Sequence, residues 1–152
     1  MEWEHIHFKK GQGYIILPRT VTKTKRRRII PILPNLKKWL MSFEGMSGLI
    51  CTNWSTPQAV FQAWERHANR LGIRAGGNRF RNSYISYRVA ETSDPAKVAL
   101  ESGNSVKVIL EDYLEMATEE DAARWFQCEP NKATLKALTD YATKLKHKQA
   151  MA

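Results

Sequence analysis

Residues 78–126 place in one stretch the side chains that could handle a phosphate group. Asn78 suits a helix N-cap, and Phe80, Tyr84 and Tyr87 follow it at helical spacing. Arg81 comes three residues after Asn78, within the first turn of that helix. There, free backbone N–H groups and a fork-shaped guanidinium both donate to anionic oxygens. A Gly103-Asn104-Ser105 turn follows, and Tyr113 stands nine residues beyond Asn104. A phenol attacks phosphorus once its proton is removed, and with an ordinary pKa of about 10 it needs a cationic surround or a base. Tyr113 also ends an apolar stripe (Val106, Ile109, Leu110, Tyr113) at i, i+3, i+4, i+7 spacing. By that spacing alone it reads as a core tyrosine.

The elements around these residues can be read from caps and stops. Asp94-Pro95 opens a helix that Gly103 ends, and Ser105 caps the next one. Upstream, residues 3–8 and 13–17 read as strands joined by a turn at 9–13. A second turn at 18–25 leads to a third strand over residues 26–32. Residues 35–43 form a short helix with Leu36, Trp39, Leu40 and Phe43 inward, and 49–54 an apolar connector. Ser55 is the expected cap of a longer helix with Pro57 in its first turn and Gly72 at its stop. Ala59, Phe61, Ala63, Trp64, Ala68 and Leu71 make that helix structural, and 74–77 is a linker. Thr118 caps a helix with Ala122, Trp125 and Phe126 inward, which Pro130 ends. Asn131 opens a last helix with Leu135, Leu138, Ala142 and Leu145 on one face. The expected fold is α+β and mainly α. A small N-terminal antiparallel β-sheet with a basic hairpin (1–33) precedes a helical core (34–130) and a basic C-terminal helix or tail (131–152).

Composition narrows the function. With 152 residues, 43% hydrophobic and 10% aromatic, the chain supports one domain with a core. Its net charge of +9 points to a polyanionic partner, nucleic acid before membrane. Residues 9–43 carry ten lysines and arginines and no acidic residue, a strip suited to lying along DNA. No apolar run approaches about 18 residues and the N-terminus lacks a signal pattern, so a cytoplasmic protein is expected. Cys51 and Cys128 are too isolated for a disulfide framework or a zinc motif. His5-x-His7 would put two imidazoles on one strand face, but with no third ligand in phase no metal is expected. His67 and His147 have no nucleophile and carboxylate arranged around them, and Gly76-Gly77 reads as linker rather than a phosphate loop.

Together, Asn78-x-x-Arg81, Gly103-Asn104 and Tyr113 resemble the C-terminal half of the tyrosine recombinase (phage integrase) family. In that family an H-x-x-R helix, a G-[HW] turn and a tyrosine nine residues later form the strand-cutting site. Thr22-Lys23-Thr24, followed by Arg26-Arg27-Arg28-Ile29-Ile30-Pro31-Ile32, is similar to the family's lysine-bearing β-hairpin. The resemblance implies a helical recombinase half-domain in which Tyr113 is the nucleophile and Arg81 and Asn104 clamp the phosphate. It further implies Lys23 as general acid for the leaving 5′-hydroxyl, and Asn78 as a hydrogen-bonding position. Lys25, Arg26, Arg27, Arg28 and Arg79 are the expected DNA-binding residues. Double-stranded DNA is the implied partner, with a homo-oligomer formed on it through the C-terminal helix and no metal or cofactor. Asn78 and Asn104 stand where the family most often has histidine, and histidine or tryptophan. Asparagine donates a hydrogen bond but cannot shuttle a proton, a loss that typically costs about 10²- to 10⁴-fold in rate. The resemblance covers the second half of a typical recombinase. The family's first arginine, in a T-G-x-R-x-x-E segment, would precede the stretch Glu2-Trp3-Glu4-His5-Ile6. The same residues also fit a DNA-binding remnant of an integrase that no longer cuts, or an RNA- or protein-binding module.

Overall fold

Isoleucines at 6, 15, 16, 29, 30 and 32 favour extended backbone, and they build a three-stranded antiparallel sheet. The computed structural model describes residues 1–22, 25–51, 56–74, 76, 78–114 and 116–151. Strands β1 (Ile6–His7), β2 (Gly13–Leu17) and β3 (Arg28–Ile32) lie in the order β1-β2-β3, with Ile6 opposite Ile15 and Gly13 opposite Ile32. A Cβ on Gly13 would stand 2.7 Å from the His7 carbonyl oxygen, so only glycine lets the chain pass there. Pro31 is accommodated because β3 is an edge strand.

Two strands are shorter than expected. Trp3–His5 forms a 3-10 turn rather than the start of β1, tied down where the Trp3 N–H donates to the Gly48 carbonyl at 2.9 Å. The Glu4 carboxylate accepts the Gly48 N–H at 2.8 Å, and that bond holds its pKa below the usual value. His5 and His7 therefore do not share a strand face; instead His5 Nδ1 accepts the Glu2 N–H. The third strand begins at Arg28, two residues later than expected.

Seven helices follow among the described residues: α1 (Pro34–Leu40), α2 (Pro57–Arg70), α3 (Arg79–Thr92), α4 (Pro95–Ser102), α5 (Val106–Asp112), α6 (Glu119–Phe126) and α7 (Lys132–Ala150). The chain is thus α+β and mainly α. Asp94, Ser105, Thr118 and Asn131 each accept a backbone N–H three residues on, as their types demand. At α2 the cap is Thr56, which accepts the Ala59 N–H at 3.2 Å; Ser55 lies outside the described residues. Asn78 occupies the N-cap position of α3 without bonding through its side chain. Its ψ of 17° departs from the extended backbone that aims a cap side chain at the helix.

Apolar burial divides into two clusters. Trp3, Ile6, Ile32 and Met46 form one beneath the sheet, with Phe43 and Leu145 packed against it. Leu145 brings the apolar face of α7 into this core. Ile85, Val89, Val98, Ala99 and Ile109 form the second between α3, α4 and α5, with Tyr84 and Tyr113 against it. Each fully buried aliphatic side chain contributes roughly 1.5–3 kcal/mol. Leu36, Leu71, Val106, Leu110 and Trp125, expected inward, are exposed. A two-turn helix such as α5 buries little more than the one side chain that meets its neighbour, here Ile109. Trp125 lies on the surface and stacks on Tyr87 with centroids 4.8 Å apart. Among the described residues no helix is long and apolar enough to cross a membrane.

The second cluster encloses an ion pair. Arg88 on α3 donates from Nε and Nη2 to the Glu101 carboxylate on α4 at 3.0 and 3.1 Å, and the Tyr84 hydroxyl donates to the same carboxylate at 2.8 Å. Burial opposes the Arg88 charge, but its bonds to Glu101 and Glu91 outweigh that and raise its pKa. Burial, and next the bond to Glu101, raise the Tyr84 pKa well above the ordinary phenol value. Breaking such a pair from one side strands a buried charge, at about 3–5 kcal/mol. Arg88→Leu and Glu101→Leu should each cost that much in urea unfolding, and the double substitution less than the two summed. Strictly additive losses would mean that the pair does not hold α3 to α4.

Candidate functional site

Seven residues make nearly two helical turns, so Arg81 projects from the same side of α3 as Arg88. Glu101, which holds Arg88, lies three residues before Asn104. The buried pair thereby sets the first turn of α3 against the turn that ends α4, and there Arg81 Nη2 donates to Asn104 Oδ1. This contact consumes the Asn104 carbonyl oxygen and leaves its NH2 group to donate elsewhere.

The 102–104 turn also receives a side chain from the sheet. Arg28 Nη1 donates to the Ser102 carbonyl at 2.8 Å, with the guanidinium laid over Gly103. Gly103 has φ of +73°, a left-handed helix stop, and its N–H donates to the Ala99 carbonyl at 2.8 Å. A Cβ there would collide with the Arg28 guanidinium. Glycine is required twice over, by backbone and by neighbour. Burial, and after it the charge of Arg81, lower the Arg28 pKa. Arg28 is half-buried, whereas Arg26 and Arg27 are exposed. These three arginines, with Leu100, Gly103 and Asn104, line a cleft of about 430 Å³. Among the described residues none of Arg26, Arg27, Arg28 and Arg81 is in a salt bridge. Cations left beside an open cleft are suited to an anion from outside.

Tyr113 ends α5, half-buried, with its ring packed on the second core cluster. Its hydroxyl donates to Asn82 Oδ1 at 3.0 Å. Asn82 directly follows Arg81, so the phenol reaches the opening turn of α3. Tyr113 borders a separate cleft of about 250 Å³, shared with Ser86, Val89 and Leu114.

The expected site residues thus fall into groups. Arg81 and Asn104 are joined directly, and Tyr113 is bonded to the residue beside Arg81. Asn78 and Arg79 are exposed at the start of α3, and Lys25 is exposed beside a third cleft with Arg19 and Thr22. Lys23 lies outside the described residues. Asn82, Arg88 and Glu101 were not singled out by spacing. The available signals were a polar residue beside Arg81, and charges on the helix faces that carry Ile85 and Val98. Among the described residues no three His, Cys, Asp or Glu side chains are placed to share a metal ion.

In comparisons with known proteins, no family model matches the sequence, and no curated protein or solved structure matches it either.

Replacing Gly103 by alanine should cost about 1–2 kcal/mol for the left-handed backbone alone, and more because Arg28 must leave the turn. With Arg28→Ala already present, thermal unfolding should show a smaller penalty for Gly103→Ala. Equal penalties in both backgrounds would contradict the close packing of Arg28 on the turn.

Proposed function

We propose that this chain breaks and rejoins strands of duplex DNA through Tyr113. The observation that carries the reading is the convergence of distant segments at the start of α3. Arg81 meets Asn104 across 23 residues, and Tyr113 meets Asn82 across 31. In the proposed reaction the Tyr113 oxygen attacks a backbone phosphorus and the bond to the 5′-oxygen breaks. A 3′-phosphotyrosyl link forms, which conserves the energy needed for rejoining. Arg81 holds non-bridging oxygens through its guanidinium, and the Asn104 NH2 donates to the same group. Asn82 aims the hydroxyl, and because an amide oxygen is only a weak base the phenol proton passes to solvent water as the oxygen–phosphorus bond forms. Lys23 is the proposed proton donor to the leaving 5′-oxygen, on motif resemblance. The reading is of a DNA-integrating recombinase of the tyrosine class, working in the cytoplasm. Arg26 and Arg27 would lie along the DNA, and α7, with five lysines after Asn131, would face DNA or a second copy.

A second reading is DNA binding without cleavage. It is favoured by one feature: Tyr113 opens on a different cleft from the one the arginines line. For cutting, the turn at Tyr113 must shift toward Arg81.

Duplex DNA with a nick that traps the cut state separates the two. Strand cutting predicts a covalent protein–DNA adduct that Tyr113→Phe abolishes while DNA retention persists. Retention with no adduct from either protein selects the second reading. Arg26→Ala and Arg27→Ala should each reduce the slope of log affinity against log salt by about 1. An unchanged slope would remove these two arginines from the DNA path.

A further inference from the structure

We infer that Arg28 and Arg81 close together on a single phosphate group as a two-guanidinium clamp, with the Asn104 amide between them. Arg28 is then a phosphate-holding residue and not one more member of the basic surface beside Arg26 and Arg27. The inference rests on the proposed DNA reading for which phosphate is held, but the clamp itself is argued from geometry.

Three features set Arg28 apart. It is half-buried, while Arg26 and Arg27 are exposed. Its Nη1 is fixed by the Ser102 carbonyl at 2.8 Å, and its plane rests on a glycine that leaves it room. The side chain is therefore oriented before any ligand arrives, which lowers the ordering cost of binding. Arg81 is oriented as well, through Asn104, the residue next to Gly103. Two guanidiniums bonded to Ser102 and Asn104 of one turn repel each other, and among the described residues no carboxylate forms a salt bridge with either. A bound oxyanion would. Each guanidinium keeps N–H groups beyond the one it has used, and the Asn104 NH2 adds a neutral donor. Planar forks in such a pair suit a tetrahedral group whose oxygens are shared between them. The cleft of about 430 Å³ that Arg28 lines is open to a phosphodiester.

Inorganic phosphate, and dimethyl phosphate as a diester, titrated into the full chain at constant ionic strength test this without any chemistry. Arginine Nε–H and asparagine Nδ2–H signals are followed by NMR. The expected result is that Arg28, Arg81 and Asn104 move together along one binding curve. Arg28→Lys can still donate to the Ser102 carbonyl but lacks the second prong, and should weaken binding about tenfold at near-unchanged melting temperature. Arg124→Ala, an exposed charge on α6 already paired with Asp121, should stay within about twofold. A stationary Arg28 signal, or phosphate affinity in Arg28→Lys equal to that of the unaltered chain, overturns the clamp; a purely structural Arg28 gives that second result. Phosphate binding by an unaltered chain that forms no DNA adduct would refute cutting and leave the clamp standing.

Discussion

Two opposite charges, Arg88 and Glu101, taken out of water between α3 and α4 set the geometry on which the rest of this protein depends. Their side chains are 7% and 5% exposed, and the carboxylate is closed off further by the Tyr84 hydroxyl. An apolar contact of the same size would hold the helices together but tolerate sliding. A bidentate ion pair has a direction, and its cost when misaligned is large. Arg81 lies on the same face of α3 as Arg88, and Asn104 follows Glu101 in the chain. The register of the buried pair is therefore passed on to the pair at the surface. Tyr113 is placed by the same helix, through its ring on the Ile85 cluster and its hydroxyl on Asn82.

The sheet contributes to this arrangement through one side chain. Arg28 extends from the first residue of β3 to the turn after α4, where Gly103 is the only residue type that satisfies both the backbone and the guanidinium above it. The basic run 26–28 is thus not uniform: the first two members face solvent, and the third links the two layers of the fold. The half-buried arginine beside Arg81 gives the site its concentration of positive charge. Such a concentration persists in a folded protein when cohesion elsewhere outweighs the repulsion.

Much of the local architecture was legible because capping and stopping are short-range. Asp94, Ser105, Thr118 and Asn131 start helices for reasons contained in three or four residues, and Gly103 stops one. Arg81, Asn104 and Tyr113 were singled out together by resemblance to a family motif, whose spacing is likewise carried by the chain. Illegible were the features decided by a partner far along the sequence. Periodicity assigns a charged residue to the outside, so Arg88 and Glu101 gave no sign of pairing across 13 residues. The stripe through Val106 and Leu110 predicted a buried face, but α5 meets its neighbours only along Ile109. Asn78 shows the limit of cap preference, since its backbone turns away from the geometry in which its side chain would bond. Asn82 is the acceptor for Tyr113 only because two helices bring them together.

If the chain cuts DNA as proposed, the Tyr113 oxygen becomes covalently joined to a DNA phosphate, and the attachment site can be mapped. After incubation with trapping DNA and nuclease digestion, trypsin should release the peptide between Lys107 and Arg124 carrying the mass of a nucleotide on Tyr113. Finding that peptide unmodified, or the nucleotide on another residue, would contradict the account.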